Sequence, residues 1–304
     1  MESIKSLVGR GQVLLADGAI GSLLMARGLA RGAAPESLNL SQPEILEEIA
    51  SRYLEAGAEI IQTNTFGASP LKLANYGLAD QAAAINESAV RAVRRVVGKR
   101  ACVSASCGPS GKILQPYGDT KAENVFESFQ QQMRALIHAG ADIICVETMS
   151  DINEAQLAIQ AARSVSPSIP VMATMTFEAT ARGFFTIMGV SVEKACRELE
   201  KAGADLIGSN CGNGSSQMVA IAKEFRKFTS LPLLIQANAG IPELRAGQVH
   251  YPETPEYMAA MSRELIMAGV SVIGGCCGTT PDHIRAMRKI VDEELRKLHG
   301  LTEN

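Results

Sequence analysis

Tryptophan is absent from this sequence, aromatic residues make up only 4% of it, histidines number four, and no two cysteines stand in a CxxC pair. Each shortage narrows the field. With so few histidines there is little from which to draw a general base, and nothing resembles a Ser–His–Asp arrangement. A structural zinc is normally closed by four Cys or His ligands, commonly in CxxC pairs, so that class is disfavoured. No uncharged apolar run reaches the roughly 18 residues of a membrane span, and no apolar signal segment occupies residues 1–21. A net charge of −3 and a pI near 5.9 give no electrostatic reason to expect nucleic acid or an anionic membrane surface. Seven cysteines, an odd number without framework spacing, point to reduced thiols and a cytoplasmic protein.

What is present is apolar residues, 46% of the chain, and 27 glycines, a balance that suits a tightly packed α/β protein whose backbone closely approaches something. Apolar runs recur as "VLLADGA", "EIIQTNTFGA", "ACVSASCGPSG", "DIICVETMS", "PVMATMTFEA", "LIGSNCGNG", "PLLIQANAGIP" and "VIGGCCGTT". Most segments between them carry helical periodicity, as in "PEILEEIASRYLEAGA" and "SVEKACRELEKAGA". Continuous apolar runs without polar alternation mark strands covered on both faces, as in parallel sheets. Strand and helix thus alternate eight times, and the simplest closure is a (β/α)8 TIM barrel with parallel strands. A doubly wound open sheet is the alternative, but "GAIGS" is a weak match to its glycine-rich turn. No linker or composition shift divides the chain, so a single domain spanning 1–304 is expected.

A repeat lies within this pattern: "AGAEIIQTNT", "AGADIICVET", "AGADLIGSNC" and "AGVSVIGGCC". Aligned on their glycines, these strings place Asn64, Glu147, Asn210 and Cys276 at one level of the even-numbered strands. Thr65, Thr148, Cys211 and Cys277 fall at the next. Alternate strands of such a barrel contribute to the same layer, so these polar groups gather at the carboxyl ends where barrel active sites are built.

Cys211, Cys276 and Cys277 therefore converge although they are distant in sequence. A disulfide between the adjacent pair is disfavoured, because neighbouring side chains on a strand point to opposite faces and the small ring is strained. Three soft thiolates suit Zn2+ and leave a fourth position open. Cys102, Cys145 and Cys196 read as small buried hydrophobes. His283 follows Thr280 and Pro281 in a first helical turn and reads as a surface residue, with zinc ligation the lesser alternative. Asp17 and Glu147 end strands one and four, where carboxylates serve as acid and base, bind metal or hold a cation. Beside a thiolate zinc the last role fits a small amino acid, its ammonium on the carboxylates and its carboxylate on N–H groups of "DGAIGS". Asn64 and Asn238 also end strands, and Asn238 could reach the metal through its amide oxygen. A zinc held by three thiolates is a poor Lewis acid for water but keeps a bound sulfur electron-rich, which favours alkyl transfer to sulfur.

The blocks "LLADGAIGS", "QTNTFGAS", "SCGPSG", "CVETM", "GSNCGNG", "QANAGIP" and "GGCCGTTPDHI" resemble those of the zinc-dependent homocysteine S-methyltransferases, from about Leu14 to Ile284. The resemblance implies a (β/α)8 barrel, zinc on Cys211, Cys276 and Cys277, and homocysteine held by its amino group at Asp17 and Glu147 and its carboxylate near Gly18 and Ala19. Asn64 is expected among the substrate contacts. Asn238 matches a position that occupies zinc when homocysteine is absent in the cobalamin-dependent methionine synthases. "TNTFGAS" is similar to those synthases, so methylcobalamin is the expected donor. Because the sequence stops at Asn304, the cobalamin is expected on a missing domain or a separate corrinoid protein. The alternatives are S-methylmethionine or betaine as donor, another thiol as acceptor, a non-catalytic zinc- or thiol-binding module of a corrinoid complex, and a phosphate-ester enzyme.

Overall fold

The computed structural model describes residues 4–9, 11–30, 32–245 and 248–298, so the extreme ends of the expected 1–304 domain lie outside the described residues. Eight strands form the main sheet: β1 (Leu14–Leu15), β2 (Ile60–Gln62), β3 (Cys102–Cys107), β4 (Ile143–Met149), β5 (Val171–Met175), β6 (Leu206–Asn210), β7 (Leu233–Ala237) and β8 (Val270–Gly275). Each pairs in parallel with the next, and β1 pairs with β8 through Leu14 opposite Val272. A single parallel bridge, Ala16 to Ile60, closes the ring between β1 and β2. The expected TIM barrel is the observed fold.

The covering helices are α1 (Pro43–Glu55), α2 (Ala82–Val97), α3 (Ala122–His138), α4 (Ile152–Val165), α5 (Val192–Ala202), α6 (Ser215–Phe225), α7 (Pro255–Met267) and α8 (Pro281–Leu298). Their starts follow ordinary capping chemistry: Ser191 and Thr254 accept the N–H of Lys194 and Tyr257, and Asp151 accepts that of Asn153. The repeated "AG" has an equally local cause. Gly57, Gly140, Gly203 and Gly269 all have φ between 81° and 99°, the left-handed conformation that ends α1, α3, α5 and α7 and turns the chain into an even-numbered strand.

Inside the barrel, Leu14, Ile60, Ile143, Met172, Leu206 and Val272 pack as one cluster with Cys102 and Cys145, and Ile4 and Val8 of the helix Ile4–Gly9 join it. That short helix therefore seals the amino-terminal end of the barrel. Cys196 packs in the larger cluster between sheet and helices. All three thiols are buried, and desolvation raises Cys102 to about 11 and Cys196 to about 12, as befits inert hydrophobes. Two hairpins that the sequence pattern did not announce, Glu178–Thr180 with Gly183–Phe185 and Glu243–Arg245 with Gln248–His250, project from the loops after β5 and β7. Their strands are three residues long and lack a buried face, so no alternation marks them. Among the described residues no helix is long and apolar enough to cross a membrane.

The repeat also organises charge at the sealed end. Glu59, Asp142 and Asp205 stand at the same repeat position, and each pairs with an arginine: Arg288 at 2.8 Å, Arg94 at 2.6 Å and Arg163 at 2.6 Å. The same carboxylate oxygen accepts the N–H of Leu15, Val103 or Val171 and so ties the helix to the neighbouring strand. The fourth copy is incomplete. Ser271 occupies the acid's position, and Arg226 is left with the carbonyls of Thr229 and Leu231, its Nε unpartnered and its guanidinium held below the usual range by burial. Ser271→Asp is expected to raise the thermal midpoint by about 1–3 °C, as a partly exposed pair worth roughly 0.5–1 kcal/mol would. Asp205→Ala, which strands Arg163, should lower it by a larger amount; both are read by calorimetry.

Candidate metal centre and ligand cavity

At the carboxyl end of the strands lies a cavity of about 250 Å3 walled by Gly18, Ala19, Asn64, Glu147, Cys211, Cys276 and Cys277 among others. The sulfurs of Cys211, Cys276 and Cys277 lie within 4.8 Å of one another, and Cys211 Sγ is 3.9 Å from Cys277 Sγ. Two sulfurs on one tetrahedral zinc at about 2.3 Å would be about 3.8 Å apart, so the donor set fits that ion with little movement. The three thiols titrate as one unit: neighbours that donate to Cys211 lower its pKa, while Cys276 and Cys277 are raised because the first ionisation opposes theirs.

Backbone strain helps to present the sulfurs. Cys211 has φ 59° and Thr148, at the same register on β4, has φ 60°. Such values are outliers for residues bearing a Cβ, above all for β-branched threonine, and persist only where the surroundings over-determine them. Asn210 supplies that constraint. Its Oδ1 accepts the N–H of Thr148 (2.8 Å) and the hydroxyl of Thr174 (2.7 Å), and its Nδ2 donates to Thr148 Oγ1 (2.8 Å) and Glu147 Oε2 (3.2 Å). At the β8 end Gly278 has φ 80°, and a Cβ there would lie 2.1 Å from the ring of Tyr251, which covers the turn after the cysteine pair.

Asn238 is buried between β6 and β8 in the order of the sheet; its amide favours ionised Cys211 and its Oδ1 has no partner. A buried acceptor of that kind beside three thiols is what a metal ligand in reserve requires. His283 corrects the sequence reading. It is only 7% exposed rather than on the surface, and both ring nitrogens are engaged: Nδ1 accepts the N–H of Thr280 (3.2 Å) and Nε2 donates to Glu253 O (3.0 Å).

Asp17 is fully buried just behind the cavity wall, beside Gln62 and Asn64. Its Oδ2 accepts Gln62 N–H at 2.8 Å and its Oδ1 has no partner. Burial raises its pKa to about 8, against the opposing pull of that N–H and with the Glu147 charge adding to the rise. Burial likewise raises Glu147 to about 7, although the Ser106 hydroxyl donates to it. Two buried carboxyls whose ionisation is opposed by desolvation gain most from a cation placed between them. At the turn, Ala19 N–H donates to Thr279 Oγ1 (3.0 Å), so a ligand carboxylate there would have to exchange with that hydroxyl. Asn64 reaches the cavity, but its Nδ2 holds the loop after β1 through Pro35 O (2.8 Å) and Asn39 Oδ1 (2.9 Å). That loop forms a cavity wall at Pro35 and Glu36.

The sequence model of the homocysteine S-methyltransferase family matches residues 14–291. This chain belongs to that family. It is 33% identical over 297 residues to the methionine synthase of Mycobacterium leprae (strain TN) and 32% identical to that of Mycobacterium tuberculosis (strain ATCC 25618 / H37Rv), in each case over 92% of this chain. The chain spans about a quarter of the length of these relatives (24% and 25%). Among solved structures, the homocysteine methyltransferase MmuM from Escherichia coli in its metallated form superposes with a TM-score of 0.78 at 23% identity, over 94% of this chain and 99% of that one. A methyltransferase from Methanosarcina mazei follows with 0.62 at 12% identity, covering 97% and 100%. Both show the shared barrel.

Asp17 carries a consequence for stability. Its folded value of about 8 exceeds the ordinary 3.8, so the stability it contributes is complete below about pH 4 and is lost as the pH rises through 8. Asp17→Asn keeps an oxygen for Gln62 N–H without that loss. Between pH 5 and pH 8.5 the thermal midpoint of the metal-free variant should therefore fall less than that of the parent.

Proposed function

We propose that this chain is a zinc-dependent S-methyltransferase that moves a methyl group from methylcobalamin, held by a partner protein or domain, to the thiol of homocysteine, giving methionine in the cytoplasm. The observation that carries this reading is the set of three thiols within 4.8 Å, sharing one cavity with the buried carboxyl of Glu147. Zinc on Cys211, Cys276 and Cys277 would supply an open position at which a thiol gives up its proton yet stays nucleophilic at neutral pH.

The chain's own residues supply the rest. Glu147 and Asp17 take the substrate ammonium, whose positive charge opposes the desolvation that raises their pKa values. The turn at Gly18 and Ala19, on the same cavity, takes its carboxylate. Fixed at both ends, the amino acid presents its sulfur along the axis of the barrel, and orientation of this kind lowers the barrier directly. The thiol gives its proton to solvent, the sulfur forms the new S–C bond with the methyl group, and the donor keeps the electron pair of the bond to methyl that breaks. Asn238 would serve as a further ligand to the zinc when no substrate is bound, a role supported by its unpartnered Oδ1.

Support for a large donor comes from the rim. Tyr117, Ile187 and Leu244, on loops after β3, β5 and β7, are 86%, 76% and 77% exposed, and Met25 and Phe66 join cavity to rim. Apolar groups left in water around one opening suit a partner surface better than a small sulfonium or betaine. The similarity to methionine synthases, of which this chain spans a quarter, points the same way. None of the seven cysteines is joined in a disulfide, in keeping with a reducing compartment.

Zinc-loaded protein incubated with homocysteine and methylcobalamin should form methionine, with S-methylmethionine and betaine as comparison donors; no product from free or protein-bound methylcobalamin would reject the donor assignment. X-ray absorption should count one more sulfur around zinc with homocysteine than without. Glu147→Gln is expected to lower kcat/KM for homocysteine by about 10–100-fold, the value of one charge-assisted contact.

A further inference from the structure

The thiols and Asn238 sit on the loops after β6, β7 and β8, beyond the regular sheet pairing. A few backbone bonds continue across: Cys211 N–H to Gln236 O (3.1 Å), Cys276 N–H to Ala237 O (2.7 Å) and Ala239 N–H to Cys277 O (2.9 Å). Past these, Glu253, late in the loop after β7, joins its own loop to the other two, directly at the start of α6 and through His283 of α8 toward the turn after β8. The Glu253 carboxylate accepts Ser215 N–H at 3.0 Å and its hydroxyl at 2.6 Å, at the start of α6 just after the Cys211 turn. The Glu253 N–H donates to Ala239 O at 2.9 Å, beside Asn238. Its carbonyl accepts from His283 Nε2 at 3.0 Å, and His283 Nδ1 accepts Thr280 N–H at 3.2 Å, just after the Cys276–Cys277 turn. Because the Thr280 N–H is a fixed donor, the imidazole carries its proton on Nε2 and bridges the two loops in one tautomer.

The loops are shaped to receive this side chain. A Cβ on Gly214 would approach Glu253 Oε1 to 2.2 Å, and one on Gly240 would approach its Cγ to 3.1 Å. Glu253 is not part of the cavity wall, so its influence on chemistry passes through the loops.

We propose that Glu253 is a positioning residue for the thiol set, with His283 extending its hold to the Cys276–Cys277 turn, and that this clamp maintains the separation of Cys211 Sγ from Cys277 Sγ. The role rests on the zinc reading above. Outer groups that orient metal ligands commonly govern affinity and geometry without touching the ion.

The test titrates Zn2+ into the full chain against a chromophoric chelator and records the visible absorption of the Co2+-substituted protein. Glu253→Ala should weaken zinc binding by about 10–100-fold and distort the tetrahedral Co2+ bands. Glu253→Gln, which keeps an acceptor for Ser215, should stay within about threefold of the parent and restore the bands. His283→Ala should weaken zinc in the same direction, and with Glu253→Gln it decides the matter should the alanine variant at Glu253 not fold. Ser191→Ala, which removes the cap of α5, serves as a control that lowers stability and leaves the Co2+ bands in place. Parent-like zinc affinity and bands in the folded Glu253→Ala variant, or in His283→Ala should that variant not fold, would overturn the clamp alone. A parent that takes up no zinc would overturn the zinc reading and the clamp with it.

Discussion

Two sulfurs meet here although the strands bearing them are not neighbours. The sheet order places β7 between β6 and β8, and with adjacent strands about 4.8 Å apart their backbones are separated by roughly 10 Å. Cys211 and Cys277 nonetheless bring their sulfurs to 3.9 Å. Both chains have to lean over the end of β7, and every unusual feature nearby serves that lean: the left-handed Cys211, the glycine turn at Gly278, and the hydrogen bonds from Ala239 to Cys277 O and from Asn238 to Asn213 O. The rest of the barrel is a frame that makes this bend tolerable.

The same region holds its charges at a disadvantage. Asp17 and Glu147 are enclosed with hydrogen-bond donors too few to satisfy two carboxylates, and Asp17 Oδ1, Gln236 Oε1 and Asn238 Oδ1 are buried without partners. A core designed for stability alone would avoid such groups. Here the buried carboxyl and amide oxygens without partners lie at the cavity end, whereas at the other end Glu59, Asp142 and Asp205 are each matched by an arginine, and what is left over there is the Nε of Arg226 and of Arg288. Stability and recognition are thereby separated along the axis of the molecule.

Much of this was legible in the sequence because two periodicities coincide. Apolar runs without alternation mark the eight strands, and the "AG" repeat sets their register, so that Asn210 and Glu147, or Thr148 and Cys211, fall at one level. What escaped was long-range hydrogen bonding. Nothing local marks Asn210 as a hub of side-chain hydrogen bonds, because the repeat sets its level and not its partners, nor Glu253 as a partner of Ser215, because Glu253 lies outside the repeat. His283 was misjudged for a related reason: a first-turn position says nothing of a loop from another strand folding over it, as the segment at Glu253 does. The hairpins were missed because their strands have no buried face to impose alternation.

The helix Ile4–Gly9 has an effect on traffic. With Ile4 and Val8 packed into the base of the barrel, the described residues leave its interior no back door. Whatever enters at the mouth must leave by the same route. Entry, occupancy and exit are then obliged to occur in sequence, a queue imposed by architecture instead of affinity.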